Sequence, residues 1–216
     1  MRPLKKEALR YLGYGKNAAS DSVNAMIDEC ERELSALPTV RYIYRIFDGV
    51  SVSDDVVTLG GVEFKSRGLS EHLSGCERAA VLCATLGSAA DMQRLRLERF
   101  DMSRAVVMDA VQSAYIEKVC DDACAEILSR IQSEGLYLTS RFSPGYGDMA
   151  LSYQSVILRM MDAQKRIGLT CSDSFMLTPQ KSVTAIAGIT ADADRCGGDV
   201  KCARCPAREM CRFARA

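Results

Sequence analysis

The chain has 216 residues, with 28 Lys+Arg against 28 Asp+Glu, one His, no Trp and ten Cys. That length predicts one domain, or one plus a short appendage, burying roughly 70% of its unfolded surface without cross-links. At 48% hydrophobic and 26% charged the composition is globular; zero net charge argues against a generic nucleic-acid binder, and the single His72 leaves little room for His-metal catalysis or a His-dependent hydrolase.

The N-terminal MRPLKKEALRYLGYGK is basic but has no apolar core of signal length behind it. No apolar run reaches the roughly 18 residues of a membrane span. The expected setting is cytoplasmic, with neither membrane nor nucleic acid as partner. Disulfides are rare there, so the ten Cys read as buried thiols, reactive thiols or metal ligands.

Residues 21–35 have helical spacing, with Val23, Met26, Ile27, Cys30 and Leu34 on one face and Pro38 beyond the end. Residues 40–47 (VRYIYRIF) are β-branched and aromatic and read as a strand. Asp48-Gly49 makes a turn, and two strand-like runs follow near 50–58 and 62–66, broken by Gly60-Gly61. Residues 79–86 read as a buried strand containing Cys83, bounded by Gly87-Ser88. A helix is expected from Ser88 to Arg99. A long helical pattern starts at Asp101, with Asp101 or Ser103 as N-cap, and ends at Gly135. Residues 148–167 read as one further helix, capped by Asp148 and stopped by Gly168. Leu169–Cys171 and Ser182–Thr190 look like strands. Strands grouped early with helices in the middle favour an α+β fold over a doubly wound sheet.

The long helix carries an unusual stripe. At about 100° per residue, Val106, Ala110, Ser113, Asp121, Cys124, Leu128 and Ile131 all fall near Glu117 on the helix wheel. The stripe is apolar at both ends and acidic in the middle. Buried carboxylates are costly unless a cation or donor meets them. Either the helix rolls this section toward solvent, or Glu117 and Asp121 meet a ligand.

Residues 141–148 read Arg-Phe-Ser-Pro-Gly-Tyr-Gly-Asp. Pro144-Gly145 marks a tight turn with positive φ at Gly145. Glycines on both sides of Tyr146 let a ligand approach the backbone. Arg141 is placed to grip a carboxylate in a bidentate pair. The alternative is a structural turn with a surface arginine.

This loop closely resembles the R-x-A-P-G-Y loop of the activation domain of vitamin-B12-dependent methionine synthase, which binds S-adenosylmethionine. The resemblance continues through Asp148-Met-Ala-Leu151, Lys165–Leu169, Met176–Pro179 and Lys181-Ser-Val183, covering about residues 105–190. The first hundred residues look like free-standing members of that family; Arg10–Gly13 and Thr85–Gly87 fit that impression. It implies an activation-domain-like fold, a mixed or antiparallel twisted sheet with long helices. It also implies a role: when the synthase's cobalamin oxidises to cob(II)alamin, recovery takes one electron and a methyl group from S-adenosylmethionine. By the resemblance Arg141 contacts the methionyl carboxylate, and Ser143, Pro144, Gly145 and Tyr146 line the nucleoside and methionine. Glu117 matches a family Glu on the corresponding helix. Such a site positions its substrate and needs no nucleophile. The chain departs from the family at a second acidic contact, where Glu134 is one residue out of register and Gly135 takes the place. It has no counterpart of an N-terminal Asp contact.

After Thr190 the pattern stops, which divides the chain into a globular domain (1–190) and a tail (191–216). Cys196, Cys202, Cys205 and Cys211 form C-x5-C-x2-C-x5-C in the last 21 residues, among five Lys/Arg and two Asp/Glu. Four Cys around a central C-x2-C are a metal signature. A zinc knot is one reading. Cys205-Pro206 is similar to the Cys-Pro step of ferredoxin-type clusters, so an iron–sulfur cluster is another. Four free thiols are the third. The other six Cys read as core or near-core thiols.

The expected function is a free-standing reactivation module that binds S-adenosylmethionine and serves a separate cobalamin-carrying methionine synthase or related corrinoid protein, with an electron donor protein as a further partner. Two rivals remain: an S-adenosylmethionine-dependent methyltransferase with its own substrate, and a metal-tail interaction protein with a vestigial loop. Against the first, no Gly-rich strand-turn-helix opening with a downstream acid is present.

Overall fold

The computed structural model describes residues 3–14 and 17–195. In chain order the elements are α1 (Leu4–Tyr11), α2 (Asp21–Ser35), β1 (Arg41–Asp48), β2 (Ser51–Ser53), β3 (Val56–Leu59), β4 (Val62–Lys65), α3 (Arg67–Leu73), β5 (Arg78–Thr85), α4 (Ser88–Phe100) and α5 (Met102–Ile131). Then come β6 (Tyr137–Leu138), α6 (Tyr153–Met160), α7 (Ala163–Ile167), β7 (Thr170–Cys171), β8 (Leu177–Thr178) and β9 (Ser182–Thr190). The architecture is α+β.

The main sheet has the order β1-β5-β9-β6 and is antiparallel throughout. Its two central strands are mostly apolar because both faces are covered. Leu82 and Ala84 of β5 pack against α1, α2 and α5 through Ala8, Ile27, Leu34, Met108 and Cys120. Val81 and Cys83 face the other layer, built on Phe64, Leu69, Leu73, Ile157 and Ile167. A three-stranded antiparallel sheet, β2-β3-β4, and the β7–β8 pair complete that layer.

α5 starts where Asp101 Oδ1 accepts the Arg104 N–H at 3.0 Å, an N-cap that satisfies one of the helix's orphan donors. It gives way to a 3-10 turn over Gln132–Glu134 and ends at the left-handed Gly135. Gly87, at φ 81, turns β5 into α4; a Cβ there would lie 2.5 Å from Cβ of Thr39.

Three expectations need correction. The 148–167 helix is two helices, α6 and α7, separated by Asp162 in the left-handed region at φ 50. Asp tolerates that conformation, and the break lets Ala163 and Ile167 turn back onto the core, where both are buried. Asp148 does not cap α6; the N-cap there is Ser152. The 50–58 strand is interrupted at Asp54, also at φ 50, so that β2 and β3 fold into a hairpin. The short α1, α3, β6 and β8 carried no periodicity long enough to read.

Cys30, Cys76, Cys83 and Cys120 are buried and Cys124 and Cys171 half-buried, all as free thiols. Burial pushes the Cys30 thiol up to about 11 and that of Cys83 to about 12, which makes them poor nucleophiles. Among the described residues no helix is long and apolar enough to cross a membrane.

Candidate functional site

A cleft of about 600 Å3 opens beside α5, at the edge of the main sheet. Its position follows from the topology. β6 is only two residues long and pairs with Thr190 and Ile189, and Phe142 bridges Ile186. Among the described residues no strand continues that pairing alongside Ser182–Ala185. The uncovered edge of β9 forms one wall, α5 the opposite wall, and the 139–146 segment the rim.

The rim is fixed at three points. Phe142 donates its N–H to the Ile186 carbonyl, and its own carbonyl accepts the Ile186 N–H, both at 2.8 Å. The ring of His72, on α3, hydrogen-bonds the Ser140 carbonyl at 2.8 Å. Asp148 closes the far side: its carboxylate accepts from Ser66 Oγ at 2.6 Å, Arg67 N–H at 2.7 Å and Gly68 N–H at 3.0 Å. Asp148 therefore anchors the loop to the start of α3. The Ser66 hydroxyl and the Gly68 N–H hold its carboxyl below the ordinary value. Within the loop, Gly145 has φ 90 as expected. Its N–H donates to Met149 O and that of Tyr146 to Ser143 O, so both amides are spent inside the turn.

The charged side chains converge at one end of the cleft. Arg141 Nη2 donates to Glu117 Oε2 at 2.7 Å and Nη1 to Asp121 Oδ1 at 2.7 Å. Nη1 also lies 3.7 Å from Cys124 Sγ. The acidic stripe on α5 thus meets a cation, and that cation comes from the loop. Burial opposes the charge on Arg141, but Cys120, Glu117, Cys124 and the Asp121 hydrogen bond outweigh it and hold the guanidinium firmly protonated. Nη1 and Nη2 are engaged with Asp121, Cys124 and Glu117, all on α5. Among the described residues no partner meets Nε, which leaves that donor for a ligand carboxylate. Glu117 and Asp121 offer acceptors to an ammonium or hydroxyl group.

Of the residues singled out in the sequence, Arg141, Ser143, Tyr146 and Glu117 line the cleft together. Pro144 is buried and, with Gly145, builds the turn behind the lining. Tyr146 is 51% exposed at the mouth, its ring edge-on to Phe142 at 6.2 Å. Glu134 is elsewhere, paired with Arg78 at 2.6 Å. Cys196, Cys202, Cys205 and Cys211 lie outside the described residues. Among the described residues no group of His, Cys, Asp and Glu is arranged to hold a metal ion.

The structure also adds lining residues that sequence reasoning did not place there. Arg10 and Tyr11 reach the cleft from α1. The Arg10 guanidinium lies 4.4 Å from the Tyr11 ring centroid. Burial, then the nearby Glu117 charge, pushes the Tyr11 hydroxyl up. Gln154 and Thr184 sit at the other end, hydrogen-bonded to each other. Nothing local marked Gln154 or Tyr11.

Comparison with solved structures finds the MetH reactivation domain, crystallised bound to AdoHcy. The match has a TM-score of 0.63, covers 87% of this chain and 74% of that one, and has 13% sequence identity. The chain has the reactivation-domain fold. The α+β, activation-domain-like architecture expected from the loop resemblance is the one found. No family model matches the sequence, and no curated protein matches it at the threshold applied. At this identity the likeness establishes the fold, and the chemistry rests on the residues of the cleft.

Proposed function

We propose that this protein binds S-adenosylmethionine in the cleft and supports the reductive methylation of cob(II)alamin on a separate cobalamin-dependent methionine synthase or related corrinoid protein. The observation that carries this reading is the cluster of Arg141 with Glu117 and Asp121 in the cleft lining. An amino-acid end group needs a cation for its carboxylate and an anion for its ammonium, and the cleft supplies both. Its volume, about 600 Å3, is in the roughly 300–1,000 Å3 range of small-molecule sites. The reactivation domain with this fold was crystallised with AdoHcy, the demethylated form of that ligand.

In this reading Arg141 takes the methionyl carboxylate, Glu117 the ammonium or sulfonium, and Ser143 and Tyr146 flank the ligand at the mouth. One electron from a donor protein would reduce cob(II)alamin to cob(I)alamin, which would take the methyl group from the sulfonium and leave S-adenosylhomocysteine; the chain contributes position, which is the main lever for such a step. The globular domain (1–190) does this work in the cytoplasm. The tail (191–216) carries Cys196, Cys202, Cys205 and Cys211 as ligands of zinc or an iron–sulfur cluster. Its first described part ends at Arg195, whose guanidinium bonds the carbonyls of Glu71, His72 and Ser74 at the end of α3.

Titration calorimetry tests the ligand. Wild type should bind S-adenosylmethionine and S-adenosylhomocysteine, and Arg141→Ala should lose most of that affinity; no binding by wild type removes the reading. Anaerobic purification with metal analysis and a visible spectrum tests the tail, and colourless protein with stoichiometric zinc excludes a cluster. Docking through the basic tail predicts that association with the corrinoid protein weakens with added salt.

A further inference from the structure

The end of the cleft away from Arg141 holds a second recognition element, and it is neutral. Gln154 is 8% exposed and lines the cleft from the first turn of α6. Thr184, on β9 and 1% exposed, donates its hydroxyl to Gln154 Oε1. The two residues are thirty positions apart, so the contact is made by the tertiary fold. In this arrangement Oε1 is spent on the Thr184 hydroxyl, and Nε2 is the end left for the cleft. Among the described residues no protein acceptor meets Gln154 Nε2. Nε2 is not itself a buried orphan: it opens on the cleft, where a ligand or water can meet it.

The neighbours define what it would meet. Ser182, Val183 and Leu177 surround this end. None is charged, in contrast to the Arg141 end. Thr184 also lies two residues before Ile186, which gives both its backbone groups to Phe142. By the period of a strand, the backbone N–H and C=O of Thr184 face the same uncovered edge. This is a site for an uncharged, planar or hydroxylated group with hydrogen-bond acceptors.

We propose that Gln154, oriented by Thr184, is the specificity-determining residue for the nucleoside half of the ligand, donating Nε2–H to a purine ring nitrogen or a ribose oxygen. This rests on the S-adenosylmethionine reading above. Gln154→Glu is the sharp variant: it is isosteric and keeps an acceptor for the Thr184 hydroxyl, but offers no donor while ionised. The probe is S-adenosylhomocysteine in titration calorimetry, together with deaza analogues, in which CH replaces one ring nitrogen at a time, and deoxy analogues lacking one ribose hydroxyl. Gln154→Glu should weaken S-adenosylhomocysteine binding about tenfold or more, as expected for a ligand acceptor left without its donor. One analogue should bind wild type correspondingly more weakly and show no further loss in a Gln154→Leu protein. Thr184→Val should give a smaller loss, about threefold, by freeing the amide to rotate. Equal affinities of wild type and Gln154→Glu overturn the inference while Arg141→Ala sensitivity leaves the parent reading standing. An identical loss for every analogue makes Gln154 a structural residue and overturns it as well. No binding by wild type overturns both.

Discussion

The two ends of the cleft are built differently. At one end Arg141 holds two carboxylates, Glu117 and Asp121, each at 2.7 Å. At the other, Gln154 and Thr184 form a neutral pair behind the unpaired edge of β9. The charged end suits an amino-acid head group, the neutral end a nucleoside. A molecule that has both is distinguished from free amino acids by the second end and from free nucleosides by the first. The charged end is also self-satisfied before ligand arrives, since Arg141 already has carboxylate partners. A ligand therefore adds to, or exchanges with, an existing ion pair there, whereas at Gln154 it supplies a partner that Nε2 does not have among the described residues.

The largest expected effect tests the charged end. Arg141→Ala removes a charge-assisted fork and leaves Glu117 and Asp121 facing each other without a cation, so affinity for S-adenosylhomocysteine should fall roughly a hundredfold, about 2–3 kcal/mol. Calorimetry that finds less than a threefold change would falsify the assignment of this end to the carboxylate. Glu117→Gln comes next, at about tenfold, because it keeps the shape and removes the anion. If its effect is the same for S-adenosylhomocysteine and for an analogue lacking the α-amino group, Glu117 does not meet the ammonium.

Asp148 tests whether the loop carrying Arg141 needs its tether. Its carboxyl is held low by Ser66 and the α3 amides, so its contribution to stability is full above the unfolded value near 3.9 and is lost as pH falls through the lower native value. Asp148→Asn should therefore weaken binding about threefold near neutrality and flatten the acid limb of a thermal-stability profile below about pH 4. Parallel acid limbs for the two proteins would show that the tether is not ionised in the way described. The smallest effect belongs to Asp121→Asn. Its side chain is 49% exposed, and exposed ion pairs contribute about 0–1 kcal/mol. Releasing Arg141 Nη1 from this competitor should tighten carboxylate binding by about twofold, measured in the same titration.

What was readable in the sequence follows the same division. The charged end was legible because its parts are local: Arg141 sits in a short glycine-proline loop, and Glu117 and Asp121 are one helical turn apart in an otherwise apolar stripe. The periodicity of α5 put both carboxylates on one face, and the cost of burying them called for a cation. It did not say that the cation would be Arg141, twenty-four residues from Glu117. The neutral end was not legible, since Gln154 and Thr184 acquire their meaning only from each other. The same holds for Asp148. Its place before a helical pattern suggested a cap for the helix that follows, but the carboxylate reaches back about eighty residues to the start of α3. Local patterns identify an N-cap residue type; they cannot tell which helix end lies nearest in space.

By itself the sequence determined the class of the longer secondary-structure elements, the apolar faces of α2 and α5, the core or near-core placement of the six dispersed cysteines and the turn at Gly145, because each depends on spacing within a few residues. Tertiary structure alone decided where, among the described residues, β9 is left without a neighbour, that the loop is tied to the start of α3, and that α1 brings Tyr11 to a cleft made by segments more than a hundred residues away. Those contacts depend on how far β6 runs along β9 and on how the layers pack against the sheet, and both are set by the burial of the whole core.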